Sequence, residues 1–183
     1  TLDLSQVNKD ILKIWDENDT FHRSVRQTDG KGEFVFYEGP PSANGKPGIH
    51  HVMARTIKDA ICRYKTQCGY EVKRKAGWDT HGLPIELGVE KALGITREDI
   101  GTEKISIEEF NKACRIDVMR YTDQWEDLTR KMGYWVNMDH PYVTYDNRYI
   151  ETLWWLLKQL YEKGYLYQGY TIQPYSPAAG TGL

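Results

Sequence analysis

The 183-residue chain contains only three cysteines, Cys62, Cys68 and Cys114. The number is odd and no two are spaced C-x-x-C, which argues against a disulfide framework or a zinc knuckle and fits a reducing, cytoplasmic setting. No apolar run approaches the ~20 residues of a membrane helix, so no membrane association is expected. The N-terminal TLDLSQVNKD is polar and mixed in charge, without the apolar centre of a secretory leader. Its initial Thr1 implies a trimmed natural start. No charge sign dominates: 24 Lys and Arg face 26 Asp and Glu, for a net charge of −2. Bulk charge therefore does not mark a nucleic-acid binder. Internal repeats and low-complexity segments are missing. So are the nucleotide fingerprints G-x-G-x-x-G and G-x-x-x-x-G-K-[ST], which excludes an ordinary dinucleotide-binding turn and a Walker site.

What is present has the balance of a globular protein, 40% hydrophobic and 27% charged, with enough length for one core. Charge is locally uneven. Arg55, Lys58, Arg63, Lys65, Lys73, Arg74 and Lys75 outnumber Asp59 and Glu71 over one stretch. That stretch reads as a solvated face or as a phosphate-holding one.

Periodicity organises the chain. Residues 4–26 read as a helix, with Val7, Ile11, Ile14 and Trp15 at three-to-four spacing. Phe34-Val35-Phe36-Tyr37 reads as a buried strand. The following Glu38–Pro47 loop, rich in proline and glycine, is incompatible with regular structure. A helix is expected over about 49–67, burying Met53, Ile57, Ala60, Ile61 and Tyr64 and stopping at Gly69. A weak strand is expected over 70–76. Strand, loop, helix, strand is a βαβ unit and predicts an α/β fold: a Rossmann-like parallel sheet with flanking helices. Further helices are expected over about 84–93, over 106–132 as one long element, and from an Asn147 cap to about 163. The last should bury Ile150, Leu153, Trp154, Leu157 and Tyr161, which makes Trp154-Trp155 a packing pair rather than a binding platform. Tyr165–Tyr175 reads as a strand and residues 174–183 as a linker. Cys62 and Cys114 occupy apolar helical positions and read as packing residues.

Chemistry concentrates in three stretches. Gly45-Lys46-Pro47-Gly48-Ile49-His50-His51 ends a loop and begins a helix, where unpartnered N–H groups and the helix dipole favour an anion. The two imidazoles read equally as a cap with a solvated neighbour or as donors to phosphate. Gly77-Trp78-Asp79-Thr80-His81-Gly82-Leu83-Pro84 follows a strand, at the sheet edge where open α/β folds bind ligands. Asp79 there reads either as a turn-forming Asx residue or as a carboxylate for a ligand ammonium. His81 reads as structural support or as a ligand contact.

Taken together, E-G-P-P-S-A-N-G at 38–45 and G-W-D-T-H-G-L-P-I-E at 77–86 resemble the class I aminoacyl-tRNA synthetases, the isoleucyl branch most closely. Arg63-Tyr64-Lys65, Gly69-Tyr70 and Lys131-Met132-Gly133-Tyr134-Trp135 match as well, so the resemblance covers essentially the whole chain. It implies the first half of a Rossmann-like catalytic domain over 33–175, preceded by a helical segment over 1–32. Residues 176–183 would begin a linker toward an inserted editing domain. The implied activity is ATP-dependent formation of isoleucyl-adenylate and transfer to tRNA(Ile). ATP would act as its Mg²⁺ complex, without zinc in this segment, and nothing points to oligomerisation. By carry-over, Gly39, Pro40 and Asp79 bind the amino acid, Asp79 through its α-ammonium. Gly48, His50, His51 and Asn44 belong to the ATP side, with His51 and His50 as the catalytic imidazoles.

One departure stands out. The family signature is H-I-G-H, and ungapped alignment of the loops places Gly48-Ile49-His50-His51 on it. Its first and third letters are exchanged. His51 keeps its place, and His50 is expected to replace in part the donor lost at Gly48. The K-M-S-K-S loop of the family lies outside these residues, so the chain alone is expected to be inactive or weak. The exchanged signature leaves an alternative, a synthetase-derived nucleotide- or tRNA-binding module without catalysis. A nucleotidyltransferase of related fold would share the histidine turn but would not need the E-G-P-P and G-W-D-T-H-G-L-P pair.

Overall fold

A computed structural model describes residues 2–178 and 180–182. The chain divides into two units, Thr1–Asp146 and Asn147–Leu183. The first contains helices α1 (Leu4–Glu17), α2 (Thr20–Arg26), α3 (Ile49–Gln67), α4 (Leu83–Leu93), α5 (Ile107–Val118) and α6 (Thr122–Lys131). Strands β1 (Lys75–Trp78) and β2 (Asn137–Val143) pair in parallel, Gly77 against Tyr142 and Trp78 against Val143. A parallel bridge between Glu33 and Glu71 extends the same logic upstream. The α/β class with flanking helices is as the sequence implies. The core gathers Ala43, Trp78 and Trp125, with Met119, Tyr121 and Val143 packed against them.

Several elements differ from the periodicity. The expected 4–26 helix breaks at Asp19, which takes a left-handed conformation (φ 49°). A short polar side chain tolerates that backbone. The Asp19 carboxylate then accepts from His22 and Arg26 at 2.6 Å each, joining the break to the next helix. The expected 106–132 helix breaks between Val118 and Thr122. There the Tyr121 N–H leaves the helical ladder and donates to the carbonyl of Ala43 (2.9 Å). A tertiary hydrogen bond thus overrides helical continuity.

The Phe34–Tyr37 strand does not form. Phe34 N–H donates to Glu71 O (2.9 Å), after which pairing ends, and Val35 and Tyr37 are exposed. Pro40 and Pro41, lacking N–H groups, cannot extend a ladder. The strand expected over 70–76 starts later, at Lys75, with Val72 and Arg74 turned inward. Strand β2 was not anticipated, because Asp139, His140 and Pro141 interrupt any apolar run.

Helices α3 and α4 lie where expected, and Gly69 (φ +92°) follows the end of α3. The face of α3 is the surprise. Met53, Ile57, Ile61 and Tyr64 are exposed, whereas Arg55, Cys62 and Thr66 are buried. Polar contacts turn the helix this way. Arg55 donates to Thr129 Oγ1 of α6 (2.5 Å), and Arg63 donates to Gly133 O and to Asp59. The Arg63 guanidinium also lies 3.8 Å from the Trp135 ring centroid, a cation–π contact that keeps the charge on this face. Cys62 is packed as expected, and Cys114 is half-buried.

In the second unit, α7 (Asn147–Glu162) matches the expected span. It buries none of its residues: Leu153, Leu157 and Tyr161 are exposed, and Trp154 and Trp155 are 70% and 59% exposed. The packing role expected for these residues is not realised, since the unit supplies only an extended segment and a small hairpin beside the helix. The strand expected over 165–175 reduces to β3 (Tyr175–Ser176), antiparallel to β4 (Thr181–Gly182).

Gly77 shows how closely β1 and β2 fit. A Cβ built there would land inside the Tyr142 ring. The Gly77→Ala variant is therefore expected to lose about 1–3 kcal/mol through overpacking. Chemical denaturation of both proteins would measure it, and an unchanged midpoint would contradict the fit.

Candidate functional site

The Gly/Pro loop is held from below by its carbonyls. A segment rich in proline has few donors, but its oxygens still need partners. The carbonyl of Pro41 accepts from the Asp79 N–H (3.0 Å), that of Ala43 from the Tyr121 N–H (2.9 Å), and that of Gly45 from the Trp125 indole Nε1–H (2.8 Å). Every second carbonyl over this span is thus bonded to a different element. Asn44 Nδ2 adds a bond to Pro84 O at the start of α4 (3.3 Å). Asn44 therefore ties the two signature stretches together.

Glu38 anchors the front of the loop. Its side chain is nearly buried, ion-paired to Lys58 Nζ (2.7 Å), and accepts from the Tyr134 hydroxyl (2.6 Å). Burial and that carboxylate push the Tyr134 hydroxyl well above the usual tyrosine range. Behind it, the Arg55 guanidinium lies 5.1 Å from the Trp125 ring centroid and 5.4 Å from that of Tyr134. A buried cation is tolerated here because aromatic faces and Thr129 replace part of its hydration.

The histidines sit at the amino end of α3. His51 Nδ1 accepts the Gly48 N–H (2.9 Å), so a neutral His51 carries its proton on Nε2. Its ring meets the Trp125 ring edge-on at 4.7 Å. Burial, then His50, then Arg55 hold the His51 imidazole below its ordinary value. This bond needs an unprotonated Nδ1. Its stabilisation is therefore present above the ordinary imidazole range and lost as pH falls through the lowered one. The His50 ring lies 3.8 Å from that of His51. A Cβ built on Gly48 would meet His50 Cε1 at 2.9 Å and Nδ1 at 3.0 Å. The imidazole of residue 50 thus occupies the space beside residue 48.

Of the residues read from the sequence, Gly39, Pro40, Asn44 and His51 line one open groove of about 430 Å³, together with Lys46, Arg55, Lys58 and Trp125. Gly48, His50 and Asp79 do not line it. Asp79 joins its wall through the bond to Pro41, and Gly48 joins through His51. The Asp79 carboxylate accepts the His81 N–H (3.3 Å), so the Asx turn forms and one oxygen is engaged locally. His81 Nδ1 lies 3.0 Å from Thr144 Oγ1, a structural contact. Sequence reading missed the Trp125 anchor, which it placed only within the helix expected over 106–132. No pattern flagged Thr144 either. Among the described residues, no three His, Cys, Asp or Glu side chains converge on a metal-sized site.

Chemically, the groove offers an anion the His51 imidazole in the first turn of α3 and the cationic side chains of Lys46, Arg55 and Lys58. The His51 titration follows from its neighbours. The His50→Ala variant removes a nearby imidazole and its cover, so the His51 pKa is expected to rise toward the ordinary value. Proton-detected NMR of the histidine ring nitrogens checks this, and a fall would contradict it.

Residues 10–183 match the sequence model of the tRNA synthetases class I (I, L, M and V). Over 181 residues the chain is 76% identical to the isoleucine–tRNA ligase of Bacteroides thetaiotaomicron, covering 99% of this chain and 16% of the relative. It is 71% identical over 183 residues to that of Porphyromonas gingivalis, covering 100% and 16%. Against that of Thermobifida fusca the identity is 52% over 183 residues, covering 100% and 17%. The chain therefore spans about one sixth of the length of these relatives. Among solved structures, it is similar to the LeuRS chain of a ternary LeuRS–tRNA–LeuAMS complex from Agrobacterium radiobacter K84. The TM-score is 0.60 at 22% identity, over 96% of this chain and 20% of that one, a likeness of fold.

Proposed function

Since the chain belongs to the class I tRNA synthetases of the I, L, M and V group, we propose that it is part of the catalytic domain of a cytoplasmic isoleucine–tRNA ligase. The protein containing it activates isoleucine with ATP-Mg²⁺ and transfers it to tRNA(Ile). The observation that carries this reading is the joining of the E-G-P-P-S-A-N-G loop to the Asp79 turn and α4 through the Pro41 and Asn44 bonds, and to His51 at the α3 amino end through Trp125, which donates to Gly45 O and meets the His51 ring. The identity to isoleucine–tRNA ligases supports isoleucine as the amino acid. No helix among the described residues is long and apolar enough to cross a membrane.

The reaction is attack of the isoleucine carboxylate on the α-phosphate of ATP, with pyrophosphate leaving. Catalysis then consists mainly of positioning and of stabilising the charge that develops on phosphate. Asp79 holds the α-ammonium with the carboxylate oxygen that the Asx turn leaves over. Gly39 and Pro40 present backbone and ring to the amino acid. The helix amino end and the histidines face the triphosphate. His51 Nδ1 is committed to Gly48, which leaves its Nε2–H as the donor. His50 fills the space beside Gly48 and supplies the imidazole that the family order carries at the first position. Asn44 shapes the ATP side by fixing the loop to α4.

Two tests follow. The natural full-length protein is expected to catalyse isoleucine-dependent ATP–pyrophosphate exchange, and Asp79→Ala to raise the isoleucine KM about tenfold or more, the effect of a lost charged hydrogen bond. Binding of ATP and isoleucine without any exchange would instead mark a non-catalytic module. The exchanged signature is tested by a cycle. Gly48→His alone crowds His50 and is expected to cut exchange further than Gly48→His combined with His50→Gly. Additive effects would show that the two positions do not share one space.

A further inference from the structure

The Asp79 turn is held by a hydroxyl from the far strand. Thr144 follows β2 directly, and its N–H donates to Trp78 O (3.2 Å), continuing the ladder one step past the last pair. Its Oγ1 lies 2.9 Å from Thr80 N, 2.7 Å from Thr80 Oγ1 and 3.0 Å from His81 Nδ1. Thr80 and Thr144 are both buried, at 8% and 9% exposure. A hydroxyl donates once and accepts twice. The Thr80 N–H donates to it, and of the remaining two groups one accepts and one donates. The whole hydrogen-bonding capacity of the Thr144 hydroxyl is therefore spent on the two residues that follow Asp79. On the other side, Asp79 is fixed by its own N–H to Pro41 O. The aspartate is clamped between the loop and the end of β2.

We infer that Thr144 is a positioning residue for amino-acid binding: its hydroxyl sets the 79–81 turn and, through it, the direction of the Asp79 carboxylate. The inference rests on the proposed synthetase reading, in which Asp79 holds the isoleucine ammonium. Thr144 does not line the groove formed by the loop and α3, and its hydroxyl acts on the turn that carries Asp79, so its effect is expected on amino-acid binding.

The test is isoleucine-dependent ATP–pyrophosphate exchange by the natural full-length protein. Thr144→Val keeps the shape and removes the hydroxyl, leaving the buried Thr80 N–H unpaired. The isoleucine KM is expected to rise about tenfold or more, with the ATP KM unchanged within twofold. Thr144→Ser restores the hydroxyl and is expected to return the isoleucine KM to within about twofold of wild type. An unchanged isoleucine KM in Thr144→Val overturns the inference, as does an equal rise for both substrates or a serine variant as impaired as the valine. Should Thr144→Val fail to accumulate as folded protein, Thr80→Val removes one member of the cluster. It is expected to raise the isoleucine KM alone by at least threefold, and no rise overturns the inference. A wild type without exchange overturns the synthetase reading and this inference with it. An active wild type with an indifferent Thr144→Val overturns only the inference.

Discussion

The site depends on one hydrogen bond, from the indole Nε1–H of Trp125 to the carbonyl of Gly45. Trp125 is 1% exposed, packs with Ala43 and Trp78 in the core, and meets His51 with the same ring. An indole buries a large apolar body and still needs a partner for its N–H. The loop has the opposite need, since its prolines donate nothing while its carbonyls accept. Each satisfies the other. Because the tryptophan is fixed by the core, the loop takes up the position of the core. The break between α5 and α6 serves the same end, since it releases the Tyr121 N–H to Ala43.

Much of this was legible in the sequence, and what was not has physical reasons. The spans of α3, α4 and α7 followed from apolar spacing, from Gly69 after α3 and from the Asn147 start of α7. The Gly/Pro loop was legible because proline and glycine leave few alternatives. The orientation of α3 was not. Its apolar stripe is continuous, but Arg55 and Arg63 find aromatic faces and carbonyls on α6 and after it, and these contacts turn the charged side inward. Periodicity weighs polarity, and it does not count buried partners for a guanidinium. The same blindness hid β2, whose Pro141 and Asp139 look like a turn although its backbone pairs in parallel with β1. Among residues at the groove, Gly39, Pro40, Asn44 and His51 lie in dense local motifs and were legible there. Trp125 and Thr144 were not, because each acts through a single atom on a residue far away in the chain.

The buried polar cluster behind the loop imposes a cost as well as a constraint. Glu38, Lys58, Tyr134 and Arg55 come from the loop, α3 and the segment before β2. Burying such groups is unfavourable unless every partner is in place, so the cluster penalises any displacement of the loop more steeply than apolar packing would. A loop without secondary structure gains from that steepness: its conformation is defined by charge pairing where backbone ladders are impossible.

The space beside Gly48 also bears on history. The imidazole of residue 50 occupies it and would crowd a side chain at residue 48. Any stepwise descent between this order of letters and the order resembled must pass through a protein with two imidazoles competing for that space, or with none. The first has a crowded helix start, and the second leaves the space beside residue 48 without an imidazole. Each single change therefore either crowds the helix start or empties that space, so the two positions are expected to vary together.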